Sequence, residues 1–405
     1  MSERDPNSPR PQSNAAMRPA HESEPAQRAT TTAPHADTTR ASAGIREANV
    51  AERVASARVH GGIDSEELAR LGVPSARVLD LSVNVNPFGP HPRVLAAARQ
   101  APLGSYPDPH AAAARAAIAR VEDIEPARVL LGHGSAELLW AAVATLAGSA
   151  RPLIVVRPTF SEPESAAHAF GVRVAVLRKS ETDDFALSLA ALDRAIRDCA
   201  PAAIYLCQPN NPDGGALPAS ELRAFCAAHR DRLFILDQAF LSLSSRHADA
   251  AVRFGDNVLV VRSLTKDHAL PGLRVGYALG SPELLRALGA RRPAWMVSAP
   301  AQAAVVAACA QPEHVARARE FLLEAKAALA GECRALGLAL VPSETHYFLA
   351  RVGQADRLRQ RLLERHAILV RSGTSFGLPD HIRVSGCGPE QRRRFAGALR
   401  EELRR

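Results

Sequence analysis

From His60 onward, short aliphatic runs alternate with longer alanine- and leucine-rich stretches, and this alternation narrows the possible folds more than any other feature. The runs at 129–131, 153–156, 172–177, 203–207, 233–236, 258–261 and 275–279 have the length and β-branched content of buried strands. Between them, 111–121, 136–146, 187–198 and 219–229 carry helical spacing. Apolar strands separated by helices predict an α/β protein with a mostly parallel sheet covered on both faces. After Pro300 the chain reads as helix to Leu336, and runs at 338–341, 347–352, 367–371 and 381–385 predict a smaller α+β lobe.

With 405 residues, 47% of them hydrophobic, the chain can build a large core in one or two lobes. A formal charge of +8 invites a nucleic-acid reading, but the arginines are dispersed and aromatic residues make up only 4%, leaving few platforms for stacked bases. No nucleic-acid partner is expected. No run approaches the length of a membrane span and the start is polar and proline-containing, so a cytoplasmic protein without a membrane partner is expected. The six cysteines lack the paired spacing of a zinc site and read as buried free thiols; no metal is expected. Residues 1–44 are polar, proline-containing and without hydrophobic period, which predicts a disordered tail.

Chemistry gathers at the ends of the expected strands. Lys266, in Ser263-Leu264-Thr265-Lys266, follows the 258–261 run; by itself this tetrapeptide suits a surface loop as well as a cofactor anchor. Gly132-His133-Gly134-Ser135-Ala136-Glu137 lies between a strand and a helix, where free amides and the helix dipole favour an anion. It lacks the third glycine of a dinucleotide fingerprint. Asp237 ends an apolar strand, a costly place for a carboxylate without a cation or donor beside it. Asn211 sits in a proline-rich turn after the 203–207 run, and Phe160 follows another strand end, in position either to stack on a flat ring or to serve as core.

Taken together, and with His60-Gly61-Gly62, Leu81 to Gly89, Tyr106-Pro107-Asp108-Pro109, Pro271 to Tyr277, Pro293-Ala294-Trp295 and Ile368 to Arg371, the chain resembles the class I/II aminotransferases, enzymes dependent on pyridoxal 5'-phosphate (PLP). The likeness runs from about His60 to the C-terminus. It implies the aspartate-aminotransferase fold of type I: a large PLP-binding domain at 96–311 with a mostly parallel seven-stranded sheet, and a discontinuous small domain at 45–95 and 312–405.

Carried over by position, the resemblance implies that Lys266 binds the cofactor as a Schiff base, Asp237 pairs with the pyridine nitrogen and Asn211 bonds the ring oxygen O3'. Phe160 would stack on the ring, with Ser135, Ala136, Ser263 and Arg274 around the phosphate. Tyr106 would reach the neighbouring subunit's phosphate, making a homodimer. Arg383 would pair with a substrate carboxylate, and Asn86 and His60 would also face the amino-acid or amine substrate. Within the family the nearest resemblance is to threonine-phosphate decarboxylase of cobalamin synthesis, implying conversion of L-threonine O-3-phosphate to (R)-1-aminopropan-2-yl phosphate. Histidinol-phosphate aminotransferase, using 2-oxoglutarate and glutamate, stands beside it as the alternative.

Three departures bear on reactivity. The family's Asp-Glu-Ala-Tyr is here Asp237-Gln238-Ala239-Phe240, so a phenol that donates to O3' is missing, which is expected to raise the pKa of the Schiff base. Asn-Pro-Thr-Gly is Asn211-Pro212-Asp213-Gly214, expected to bring a carboxylate to the cofactor's edge. The segment after Arg383 lacks a further arginine of the decarboxylase, expected to remove one phosphate contact.

Overall fold

The protein is described here by a computed structural model covering residues 46–47 and 60–404. The expected tail, 1–44, lies outside the described residues.

The sheet strands fall where the aliphatic runs predict them. After the two-residue β1 (Arg46–Glu47) and β2 (Leu79–Asp80) come β3 (Val129–Gly132), β4 (Leu153–Arg157), β5 (Val174–Arg178), β6 (Ala203–Cys207), β7 (Leu233–Asp237), β8 (Val258–Ser263) and β9 (Gly276–Leu279). The last seven form one sheet in the order β5-β4-β6-β7-β8-β9-β3, with β1 added at the β5 edge. Strands β5, β4, β6, β7 and β8 run parallel to one another, while β1 is antiparallel to β5 and β9 runs antiparallel to both β8 and β3. Residues such as Leu153, Ile204, Phe234 and Leu259 are fully buried because helices cover both faces, which explains why these strands lack polar alternation. Cys207 pairs with Asp237 and Asp237 with Val261, so the C-terminal ends of β6 and β7 lie level and β8 runs two residues further. That edge of an open parallel sheet is where ligands ordinarily bind.

A second, three-stranded antiparallel sheet joins β10 (Tyr347–Arg351), β13 (His381–Ser385) and β12 (Arg371–Ser372), while β11 (Ile368–Leu369) pairs in parallel with β2. Its core unites Leu79 and Leu81 with Leu329, Phe348, Ile382 and Phe395, and so brings residues from both ends of the chain together. The helices Ala299–Ala308 and Pro312–Ala335 match the helical reading after Pro300. The expected strand at 338–341 is reduced to one bridge, Leu340 to Ala350. Gly337, at φ 85°, and Pro342, which has no N–H to donate, cut that run short. All six cysteines are unpaired.

Candidate active site

Lys266, Ser135, Ala136, Phe160, Asn211, Asp237, Arg274, Arg383 and His60 all line one cavity of about 310 Å³. They arrive from strand ends and loops far apart in sequence, as the sheet register requires.

One wall is the start of the helix Gly134–Ala144. Gly134 has φ 78°, and a Cβ there would stand 2.8 Å from the Arg274 guanidinium, so only glycine lets that cation lie against the first amides of the helix. Arg274 is itself left-handed, at φ 50°. The result is an anion cradle of helix amides, the Ser135 hydroxyl and a guanidinium.

Asp237 closes the floor. Its Oδ2 accepts from the Tyr205 hydroxyl at 3.1 Å and its Oδ1 from the Ala239 N–H at 3.0 Å. Burial nevertheless pushes this carboxyl up to about 6. Lys266 lies in the short helix Leu264–Asp267, with Nζ 6.0 Å from the centre of the Phe240 ring. Burial, helped by Arg383 and Arg274, lowers its amine to about 8. A neutral, nucleophilic amine is thereby within reach near neutral pH.

Arg383 is buried in β13. It donates from Nη1 to Asn211 Oδ1 and from Nη2 to the Ser82 carbonyl at 2.5 Å, and lies over the Tyr347 ring at 5.2 Å. With its oxygen turned to Arg383, Asn211 keeps its NH2 as the donor for a ligand. The His60 ring is 5.9 Å from that of Phe160, and its Nε2 meets the Glu162 carboxylate at 2.9 Å. Gly61 lets the segment after His60 pass close to Ser82, since a Cβ would stand 2.5 Å from the Ser82 carbonyl oxygen.

Three expected residues stand elsewhere. Ser263 is buried at the end of β8 with its hydroxyl 2.5 Å from that of Thr265, outside the cavity lining. Asn86 does not face the cavity either: its N–H donates to the Lys266 carbonyl at 2.9 Å and its Nδ2 to the Asp267 carbonyl at 2.8 Å. It braces the lysine's loop instead of reaching a substrate. Tyr106 is 79% exposed and stacks on Trp295 with ring centres 4.7 Å apart. The expectation for Asp213 also changes. Its carboxylate is turned from the cavity toward Lys179, Asn210 and the Gly215 N–H, because a buried charge goes where its partners are.

Other lining residues carry no assignment from sequence. Arg371, at the start of β12, lines the cavity, donates to Ser375 Oγ at 2.5 Å and lies over Phe376 at 5.0 Å. Burial, and then the neighbouring Arg383, lowers it to about 10, so it stays cationic at neutral pH. The signal was an apolar run ending in arginine. Asn84 also lines the cavity; it is 2% exposed, and neither side-chain polar atom has a partner. A buried amide in that state is poised for a ligand's hydrogen bonds. Glu162 accepts from Trp140 Nε1 at 2.5 Å as well as meeting His60.

The cavity thus presents four cations (Lys266, Arg274, Arg371, Arg383) and two carboxylates (Asp237, Glu162). This set fits a phosphorylated pyridine aldehyde with an anionic substrate: a phosphate cradle, a buried carboxylate for a ring cation, an amide donor, and an amine of lowered pKa. Arg371 and Arg383 add two more guanidinium groups to the lining.

Comparison with known proteins agrees. The family Aminotransferase class I and II matches residues 76–399. Histidinol-phosphate aminotransferase 1 of Thiobacillus denitrificans is 35% identical over 347 residues, 83% of this chain and 88% of the relative. The crystal structure of histidinol-phosphate aminotransferase from Sinorhizobium meliloti in complex with pyridoxal-5'-phosphate superposes with a TM-score of 0.75 at 26% identity, covering 86% of this chain and 96% of that one. L-threonine-O-3-phosphate decarboxylase from Porphyromonas gingivalis gives 0.67 at 26% identity, over 80% and 99%.

Proposed function

Since the chain belongs to the class I and II aminotransferases and uses pyridoxal 5'-phosphate, we propose that it transfers an amino group between a phosphate-bearing amine of the histidinol-phosphate type and a dicarboxylic 2-oxo acid. The observation that carries this reading is the pair of buried guanidinium groups, Arg371 and Arg383, in the cavity that also holds Lys266. Both substrates of such a reaction present an oxyanion group that arginine binds bidentately. The 35% identity to the histidinol-phosphate aminotransferase of Thiobacillus denitrificans lends the same support.

Bound there, the cofactor supplies the electron sink that makes a bond at the substrate's Cα labile. The chain's own residues do the rest. Lys266 would anchor the cofactor through its amine and would move the proton at the substrate's Cα. Asp237 would hold the charge of the pyridine nitrogen, Asn211 would donate to O3', Phe160 would cover one ring face, and Ser135, Ala136 and Arg274 would hold the phosphate. Arg383, Arg371, His60 and Asn84 hold the substrate in the orientation that selects the bond to break. Tyr106, exposed within one chain, completes the partner's phosphate site in a homodimer. The same reading assigns 96–311 to a cofactor domain and 45–95 with 312–405 to a small domain, and takes the enzyme as cytoplasmic; among the described residues no helix is long and apolar enough to cross a membrane.

Decarboxylation of L-threonine O-3-phosphate is the second reading, favoured by Phe240 in the place of the family's tyrosine. Purified enzyme given histidinol phosphate and 2-oxoglutarate is expected to form glutamate. Release of CO2 from O-phosphothreonine without any oxo acid, and no glutamate in the first assay, would reverse the order.

A further inference from the structure

Lys179 and Asp213 form an ion pair withdrawn from solvent, their side chains 6% and 1% exposed. Neither lines the cavity that holds Lys266. Desolvating two charges is costly, and their attraction offsets it only when the remaining hydrogen-bonding capacity is satisfied. On the carboxylate's side it is: Asp213 Oδ1 accepts from the Gly215 N–H at 2.8 Å, and Oδ2 accepts from Asn210 Nδ2 at 2.6 Å as well as from Lys179.

Asn210 is the hub of this loop. Its Nδ2 also donates to the Pro158 carbonyl at 2.9 Å, its Oδ1 accepts from the Thr159 hydroxyl at 2.8 Å, and its carbonyl accepts from Tyr347 Oη at 2.8 Å. The next residue is Asn211, whose side chain enters the cavity and meets Arg383. An anion bonded to Asn210 Nδ2 sets which way the Asn210 amide faces, and so where the backbone delivers Asn211. Lys179, the residue after β5, ties the carboxylate to the sheet.

We infer that the buried Lys179–Asp213 pair is a positioning device: through Asn210 it holds Asn211 against Arg383 and the cofactor's edge. The inference rests on the reading that Asn211 faces the cofactor and is independent of which substrate is used.

The test compares Lys179→Met, Asp213→Asn and the double variant with the wild type. It measures the melting temperature of the apo-protein, hydrogen exchange at the Gly214 and Gly215 amides, the PLP dissociation constant, and kcat and KM. Each single variant is expected to weaken PLP retention about tenfold or more and to lower kcat more than it moves KM, in keeping with the cost of small misplacements. The double variant, with no unpaired charge, is expected to recover the melting temperature while keeping fast exchange and weak PLP retention. A double variant with wild-type exchange and a wild-type PLP dissociation constant overturns the inference, reducing the pair to a stability feature. The readouts on apo-protein and on PLP binding stand even if the wild type turns over neither proposed substrate.

Discussion

Arg383 Nη1 donates to the side-chain oxygen of Asn211, a residue 172 positions earlier, so one guanidinium ties β13 to the loop after β6. Its second contact, to the Ser82 carbonyl, draws in the segment after β2 as well. Burial lowers Arg383 to about 10, still well above neutral, so an incoming oxyanion meets a fixed cation already oriented by protein partners. Lysine cannot reproduce this fork. Arg383→Lys is expected to lower kcat/KM about a hundredfold for both the amine and the oxo acid. Arg371→Lys, at a residue that also donates to Ser375 and lies over Phe376, is expected to raise KM with a smaller change in kcat. Steady-state kinetics with each substrate varied in turn separates the two; equal effects of both changes on kcat alone would contradict the assignment of Arg371 to substrate binding.

Lys266 carries a pH prediction. Its amine is lowered to about 8, chiefly by burial. Only the neutral amine attacks an aldehyde, so PLP incorporation into apo-protein is expected to quicken as pH rises from 6 and to level off above about 8. Stopped-flow absorbance measures this directly. Lys266→Ala is expected to hold no borohydride-reducible cofactor and to lose about a thousandfold or more in rate. A variant that still fixes PLP under borohydride removes Lys266 from the role.

Asp237 separates stability from function. Its carboxyl stands at about 6 in the folded apo-protein against an ordinary 3.8, so the folded state binds more protons between these values. Stability from this group is therefore greatest below 3.8 and is lost as pH rises through 6. Asp237→Asn is expected to make the apo-protein more stable at pH 7.5 by roughly 3 kcal/mol, a gain shrinking toward pH 4. The same change is expected to cost the loaded enzyme about two to three orders of magnitude in rate, by removing the counter-charge of the pyridine nitrogen. Denaturant melts at the two pH values and a turnover assay check both halves.

The sheet was legible because each strand is short, apolar and bounded by turn residues, and its end is where a polar residue with no local purpose stands out. Lys266, Asp237 and Asn211 were found that way. Arg371 and Asn84 were not, because their significance comes from the parallel pairing of β11 with β2, which lays the segments around 80 and 370 side by side. No local pattern encodes a contact between positions nearly 290 apart. Asp213 was misread for the complementary reason: its partner Lys179 lies 34 positions away on a different strand end. Asn86 was in the right motif, but the irregular backbone that follows β2 turns Asn84 to the cavity and Asn86 to the Asp267 carbonyl, a choice that no periodic pattern encodes.

Phe240 gives the last prediction. Its ring is buried, packs edge-on against Tyr347 with centres 5.1 Å apart, and lines the cavity near Lys266. Phe240→Tyr adds a hydroxyl in a place where an unsatisfied one costs about 1–3 kcal/mol, so the apo-protein is expected to melt lower. If the new phenol donates to the cofactor's ring oxygen, that cost is recovered on loading, and the melting temperature gap between apo and loaded protein widens. The same bond withdraws electron density from the ring, so the visible absorption of the bound cofactor is expected to titrate about one pH unit lower, the scale of one net hydrogen bond. A lower melting temperature in both forms with an unmoved titration would show that the ring faces packing rather than the cofactor oxygen. In that case the absence of the phenol cannot be what distinguishes this chain's chemistry from that of its relatives.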